Sequence, residues 1–454
     1  MERQENKMGI MPVKKLIISM SLPMMVSMMV QALYNVVDSY FVAKISEDAM
    51  TAVTMAFPLQ NLMIAVGSGT GVGVNALLSR SLGEKKFDRA DAAANTGLLL
   101  TFLSYVLFLL VGIFAVKPFV LTQVKDPVKD AVVLGYAVSY LRICCCMSIG
   151  IFFQLTFVRL LQSTGKTLYS MISQVIGAVI NIIFDPIMIF GLFGFPKLGV
   201  AGAAFATVLG QMTASVVGMV LNLKKNTEIH FSFGQIFSPQ AKIIREIYFV
   251  GFPSILMMSI GSLMTYMMNQ ILKTFSNTAI AVFGVYFRLQ SFFFMPVFGL
   301  NNGLIPVLAY NYGARNRERI REALRFAMML ALGIMVTGTV VFQAIPVQLL
   351  RLFNASDEML RIGVPELRII SLSFALAGIC IAMGTIFQAF ARSYYSLVVS
   401  VARQLVVLIP VAYILSRVGD VTLVWWAFPV AELASLIVST IFFRKLYHQA
   451  VVNL

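Results

Sequence analysis

Residues 57–83 read FPLQNLMIAVGSGTGVGVNALLSRSLG and residues 287–313 read FRLQSFFFMPVFGLNNGLIPVLAYNYG. The two stretches align without a gap. Phe57, Leu59, Gln60, Gly69, Gly73, Leu78 and Gly83 meet Phe287, Leu289, Gln290, Gly299, Gly303, Leu308 and Gly313 at a constant spacing of 230. Working outward, the same register pairs Pro23 with Pro253, Leu33 with Leu263, Ala49 with Ala279 and Arg89 with Arg319. Farther along, the spacing becomes 226, which sets Leu141-Arg142-Ile143 against Leu367-Arg368-Ile369, Gln162 against Gln388 and Tyr169-Ser170 against Tyr395-Ser396. A last, weaker match at 223 sets Ala204-Phe205 against Ala427-Phe428. Because the spacing drifts only in short connections, each half reads as one folding unit, residues 1–225 and residues 226–454.

The repeat is built from apolar material. Of 454 residues, 59% are hydrophobic and 12% charged, against about 25% charged in a soluble domain. Apolar runs long enough to cross a bilayer, about 20 residues, fall near 16–41, 51–78, 93–116, 133–157, 168–192 and 199–223 in the first half. Six more fall near 243–272, 279–312, 325–350, 364–391, 394–418 and 422–446. The expected fold is an all-α integral membrane protein of twelve transmembrane helices in two pseudo-symmetric six-helix bundles. The N-terminal basic stretch and apolar run continue into Gln31, Tyr34, Asn35 and Asp38 with no small-residue cleavage site, so they read as a retained first helix rather than a signal peptide.

The 35 Lys and Arg outnumber the 20 Asp and Glu, yet this is no nucleic-acid signature, because the basic residues sit in alternate loops. One set gathers Arg3, Lys7, Lys14 and Lys15; Arg80, Lys85, Lys86 and Arg89; Arg159 and Lys166; Lys224, Lys225, Lys242 and Arg245; five arginines between Arg315 and Arg325; then Arg392, Arg444 and Lys445. The other loops hold fewer, among them Lys44, Lys117, Lys125 and Lys129, partly beside Asp126 and Asp130. The positive-inside rule places both termini in the cytoplasm, and an even number of crossings agrees. Cys144, Cys145, Cys146 and Cys380 lie in apolar runs without metal-ligand spacing, and with only His230 and His448 in the chain no histidine metal or acid–base centre is expected. An intramembrane enzyme would need a clustered nucleophile or metal set, and none is legible. No cofactor is expected.

Ionisable groups deep in a bilayer cost at least about 2.5 kcal/mol on insertion scales and default to functional candidates. Three acids lie well inside the predicted spans: Asp38, Asp185 and Glu432. Gln31, Tyr34, Asn35 and Asp38 share one face of the first helix at i, i+3, i+4 and i+7. The same holds for Gln174, Gly177, Ala178, Asn181 and Asp185 on the fifth, where Pro186 leaves the carbonyl of Ile182 without its helical donor. A freed carbonyl near a carboxylate and an amide oxygen suits a small hard cation; a polar seam between helices is the structural alternative. Thr207 and Gln211, one turn apart on the sixth helix, are further oxygen donors. In the second half Met268, Val407 and Val411 stand where the first has Asp38, Asn181 and Asp185. The fold therefore does not need these acids, and Asp38 and Asp185 are read as ligands of a coupling cation, Na⁺ or H⁺. Glu432 reads either as a substrate contact or as the partner of an intramembrane arginine, Arg288 or Arg403. Two glycine-rich lures fail: Gly67 to Gly73 lies in an apolar helix, and Thr164-Gly165-Lys166-Thr167 lacks the first glycine of a phosphate loop.

On these residues the chain resembles a bacterial multidrug and toxic compound extrusion transporter. The likeness rests on Leu22-Pro23, Tyr34-Asn35 before Asp38, Phe57-Pro58 with Gly69 to Gly73, Arg80 to Gly83, Asn181 through Asp185-Pro186, Gly199 to Ala204, and Pro306 through Gly313, and it covers nearly the full chain. The resemblance implies two six-helix lobes around a V-shaped cleft. It also implies a multi-pass protein of the bacterial cytoplasmic membrane that works as a monomer and partners only the lipid bilayer and its cargo. Cationic or amphipathic drugs or metabolites would be exported in exchange for Na⁺ or H⁺ by alternating access. In one branch of the family the cation site lies in the N-terminal lobe, and its ligands fall here on Asp38, Asn181, Asp185 and Thr207. Gln31, Tyr34, Asn35, Gln174, Gln211 and Glu432 are then candidates for the substrate cleft. The rival within the wider superfamily is a flippase for a lipid-linked oligosaccharide or peptidoglycan precursor, whose pyrophosphate would favour several cleft cations; here Arg288 and Arg403 are the main ones.

Overall fold

In the computed structural model, which describes residues 6–123, 128, 130–353 and 355–452, the apolar runs are helices. Arg3, Lys125, Asp126 and Lys129 of the charge argument lie outside the described residues. In the first half the helices are α1 (Val13–Ala43), α2 (Glu47–Gly83), α3 (Phe87–Leu121, with a π-turn at Val111–Ala115), α4 in two pieces (Ala131–Cys146 and Ile149–Ser163), α5 (Thr167–Phe190) and α6 (Val200–Lys225). The second half repeats them: α7 (Ala241–Lys273), α8 (Asn277–Gly313), α9 (Arg317–Ala344), α10 in two pieces (Asp357–Ser371 and Phe374–Ala389), α11 (Ser393–Val418) and α12 (Ala427–Tyr447). Ten are long and apolar enough to span a membrane singly, and α4 and α10 make twelve, bent by 47° and 50° at their breaks. No strand occurs among the described residues.

The halves match in detail. Ser46 caps α2 by accepting a hydrogen bond from the Ala49 amide at 3.0 Å, and Ser276 caps α8 by accepting from Ala279 at 3.1 Å. The turns that follow these helices each pass through a left-handed residue, Lys85 and Arg315. The breaks in α4 and α10 fall at Met147-Ser148 and Leu372-Ser373. By contrast, α5 runs through Asp185-Pro186 uninterrupted.

The two halves embrace through their first helices. α1 packs against α8 of the other half, and α7 against α2. Val13, Leu16, Ile17 and Met20 at the start of α1 join the core of the second half, while Ile243 and Ile247 at the start of α7 join a core of the first. The repeated glycines are the reason for this approach. A Cβ on Gly83 would land on the Tyr310 carbonyl oxygen, and one on Gly313 on the Arg80 carbonyl oxygen, so α2 and α8 cross backbone to backbone. Gly73 likewise seats Ile247 of α7.

Bonds across this seam gather at the basic end. Arg89 pairs with Glu246, Asn311 donates to the Met8 carbonyl at 3.1 Å, and Arg319 donates to the carbonyls of Met8 and Met11 at 3.0 and 2.7 Å. Asn6, just before, donates to Thr164 O at 2.9 Å and to Glu228 at 3.2 Å, so the N-terminal segment straps the two halves together there. Toward the other end Asn61 donates to Ser262 at 2.7 Å; Phe57 on α2 and Phe292 on α8 are 60% and 53% exposed.

Candidate cation site and membrane-buried charges

Small residues bring α5 and α6 together. A Cβ on Gly177 would meet Ala214 and the Gly210 carbonyl, and one on Gly210 would meet the Gly177 carbonyl. This crossing sets Asn181 of α5 beside Thr207 of α6, with Asn181 Nδ2 donating to Thr207 Oγ1 at 3.3 Å. Asn181 Oδ1 is left buried with no donor. One turn on, Asp185 is fully buried and neither of its carboxyl oxygens receives a hydrogen bond. From α1, Asp38 lies near enough to Asp185 for the two carboxyl groups to interact, and its Oδ1 is likewise buried without a donor. Four residues from three helices thus converge, presenting several acceptor oxygens and one weak donor contact. Buried acceptors in this number call for a proton, a small cation or ordered water.

A cavity of about 80 Å³ opens beside this cluster, lined by Gln31, Tyr34, Gln174, Asn181, Thr207 and Gln211, with Ser27 and Gln154 among the rest. That is room for on the order of five waters, far below the several hundred Å³ of a drug-sized pocket. Asn35 is exposed and does not line it. Beside the acids lies a pair the sequence reading passed over. Gln60 donates to Tyr140 Oη at 3.3 Å and to Cys144 Sγ at 3.5 Å; the only signal was the identity of Gln60 with Gln290.

Glu432 does not join the cleft cluster. Its Oε1 accepts from Arg403 Nη1 at 2.7 Å, so of the two arginines offered as its ion partner it is Arg403, not Arg288, that it meets. Arg403 sits in a π-turn of α11, Ala402–Leu408. A further acid is buried deeper than expected: Glu366 on α10 is 0% exposed with both carboxyl oxygens free of donors. Arg159, assigned above to a basic loop, lies one turn inside α4 and is 8% exposed. Only neutral groups reach it: Gln162 and Asn302 accept from Nη1 at 3.1 and 3.0 Å, and Ser68 from Nη2 at 3.3 Å. No group of three or more His, Cys, Asp or Glu able to hold a metal occurs among the described residues.

A comparison with family profiles matches MatE over residues 23–187 and again over residues 253–414. The two matches open on Pro23 and Pro253, the prolines that head the repeat. The chain belongs to the MatE family. Its members are transporters and not enzymes, and the MatE chain described above is a multi-span helical membrane protein of the same kind. The multidrug export protein MepA of Staphylococcus haemolyticus is 27% identical over 420 residues, covering 92% of this chain and 90% of its own. The FAD transporter of Shewanella oneidensis is 25% identical over 430 residues, covering 93% and 92%. Among solved structures, an outward-facing multidrug resistance MATE transporter of the MOP superfamily superposes with a TM-score of 0.90 at 26% identity, covering 98% of both chains. The two-lobe, twelve-helix expectation is thereby borne out for this MatE protein.

Proposed function

We propose that the protein is a secondary antiporter of the bacterial cytoplasmic membrane, with both termini on the cytoplasmic side. It exports cationic or amphipathic drugs or metabolites in exchange for Na⁺ or H⁺. Residues 1–225 form the lobe that carries the cation site and residues 226–454 the second lobe. The observation that carries this reading is the meeting of Asp38 and Asp185, whose buried oxygens lack donors, with Asn181 and Thr207 completing the ligand set. Binding the ion on one side of the membrane and releasing it on the other, as the lobes rock about their glycine seam, couples its gradient to cargo movement. Gln31, Tyr34, Gln174 and Gln211 line the approach from the cleft. Export of drugs agrees with what the MepA relatives are named for. The flippase alternative loses support because Arg403, one of its two cleft cations, is neutralised by Glu432.

The test is efflux of ethidium from proteoliposomes under an imposed Na⁺ gradient or pH gradient, for wild type, Asp38→Asn and Asp185→Asn. Gradient-driven efflux that falls at least about tenfold in both variants, with unchanged insertion, is the expected result. Undiminished coupled efflux in the variants would sink the cation-site assignment. No efflux of any cationic dye under either gradient would sink the export reading.

A further inference from the structure

The repeat relates not only the seam but also the outward face of the third helix in each half. On α3, Asp91 and Asn95 are 7% and 0% exposed, because the connector between the halves lies over them. Asp91 Oδ1 accepts from the His230 amide at 2.9 Å, and Asn95 Oδ1 from the Ser232 amide at 3.1 Å. Asn95 Nδ2 donates to the His230 carbonyl and to Gln235 Oε1, both at 3.0 Å. Ile229 and Phe231 of the connector pack into the core beside Ala90 and Ala94. On α9 the equivalent positions, at the spacing of 230, are Arg321 and Arg325. Both are exposed, and neither makes a hydrogen bond or ion pair among the described residues.

The uncovered face is a groove rather than a plain surface. Two adjoining hollows of about 510 and 410 Å³ share Arg321, Arg325 and Met329. The first also has Lys14 of α1, and Glu318 and Glu322 from α9 itself. The second holds the two arginines and no acid, and descends along Leu332, Ile379 and Phe443. At 1.5 Å per residue, Arg321 and Arg325 lie about 6 and 12 Å along the helix from Arg317. Two guanidiniums one helical turn apart above an apolar wall match a phosphodiester with an acyl chain below it.

We propose that Arg321 and Arg325 form a binding site for an anionic phospholipid of the inner leaflet. The lipid fills on the second half the surface that the connector fills on the first. Its phosphate is held by both guanidiniums, and one acyl chain follows Met329, Leu332 and Phe443.

The probe is cardiolipin, titrated into the purified full-length protein in detergent and read by native mass spectrometry, with phosphatidylcholine as the neutral reference. The double variant R321Q/R325Q is expected to weaken cardiolipin binding about tenfold or more, while K224Q/K242Q, which removes two exposed cations elsewhere on the basic end, leaves it unchanged. Leu332→Trp, which fills the acyl wall without touching charge, is expected to weaken it as well and serves if the double variant does not fold. Cardiolipin bound equally by wild type and R321Q/R325Q would overturn the site. So would equal uptake of phosphatidylcholine by wild type, marking a non-specific apolar surface, or full displacement by soluble glycerol 3-phosphate at matched concentration, marking a headgroup-only anion site.

Discussion

A charge inside the bilayer is explained by its partner, and the partners here differ in kind. Asp38 and Asp185 face each other without a donor, Glu366 is buried alone, and Glu432 is tied to Arg403 at 2.7 Å. Removing Glu432 therefore strands a guanidinium. Glu432→Gln is expected to destabilise the second half by about 3 kcal/mol, read as a lowered midpoint of thermal unfolding in detergent. Replacing both partners, Glu432→Leu with Arg403→Met, should restore most of the loss, because no uncompensated charge remains. A double variant no more stable than Glu432→Gln would show that the pair is not what holds this region. Asp38, Asp185 and Glu432 were legible in the sequence because an acid in the middle of an apolar run is costly and stands out. Glu366 was not, since the run assigned to its helix began at 364 and left it on the edge. Arg159 was missed for the same reason at a helix C-terminus: a shift of one turn moves a cation from headgroups to the interior.

The glycines of the repeat show what pattern alone can and cannot give at the level of elements. Their recurrence at a fixed spacing established the duplication, but only the packing reveals that Gly83 and Gly313 are where α2 and α8 touch backbone to backbone. The bends of α4 and α10 were likewise invisible, since an apolar run reads the same straight or broken. The caps at Ser46 and Ser276, by contrast, follow from short-range chemistry repeated in both halves. At the seam, Gly83→Ala with Gly313→Ala must push α2 and α8 toward the usual helix separation of 8–10 Å and so weaken closure of the basic end. Spin labels at Asp88 and Glu318, exposed equivalent positions beyond the two glycines, are expected to report a larger population at long distances in the double-alanine protein. Gly135→Ala, where an added methyl meets nothing within 4 Å, should leave the distribution alone. An unchanged distribution in the seam variant would mean that closure does not depend on this crossing.

For the molecule as a whole, duplication in the sequence predicts two like halves but not which end holds them together, because the link between them in the ion-pair network, Arg89 with Glu246, joins residues more than a hundred positions apart. The basic end is closed by such a network. Glu84 meets Arg80 at 2.8 Å, Lys86 at 2.9 Å and Arg89 at 3.2 Å, and Arg89 reaches across to Glu246 of the other half. Burial pushes the Glu84 carboxyl up, but the hydrogen bonds from Lys86 and Arg80 outweigh it and hold the group below its ordinary value of 4.5. A carboxylate depressed in the folded state adds stability that is fully present above its unfolded value and is lost as pH falls through the folded one. The contribution is about 1 kcal/mol, since the cationic partners are partly solvated. Thermal midpoints of wild type and Glu84→Gln should thus differ by a constant margin of about 1 °C above about pH 5.5, and the gap should close as the pH drops below about 4.5. A gap that persists unchanged in acid would assign the loss to the shape of the side chain rather than its charge, and would remove Glu84 from the network that fastens the two halves.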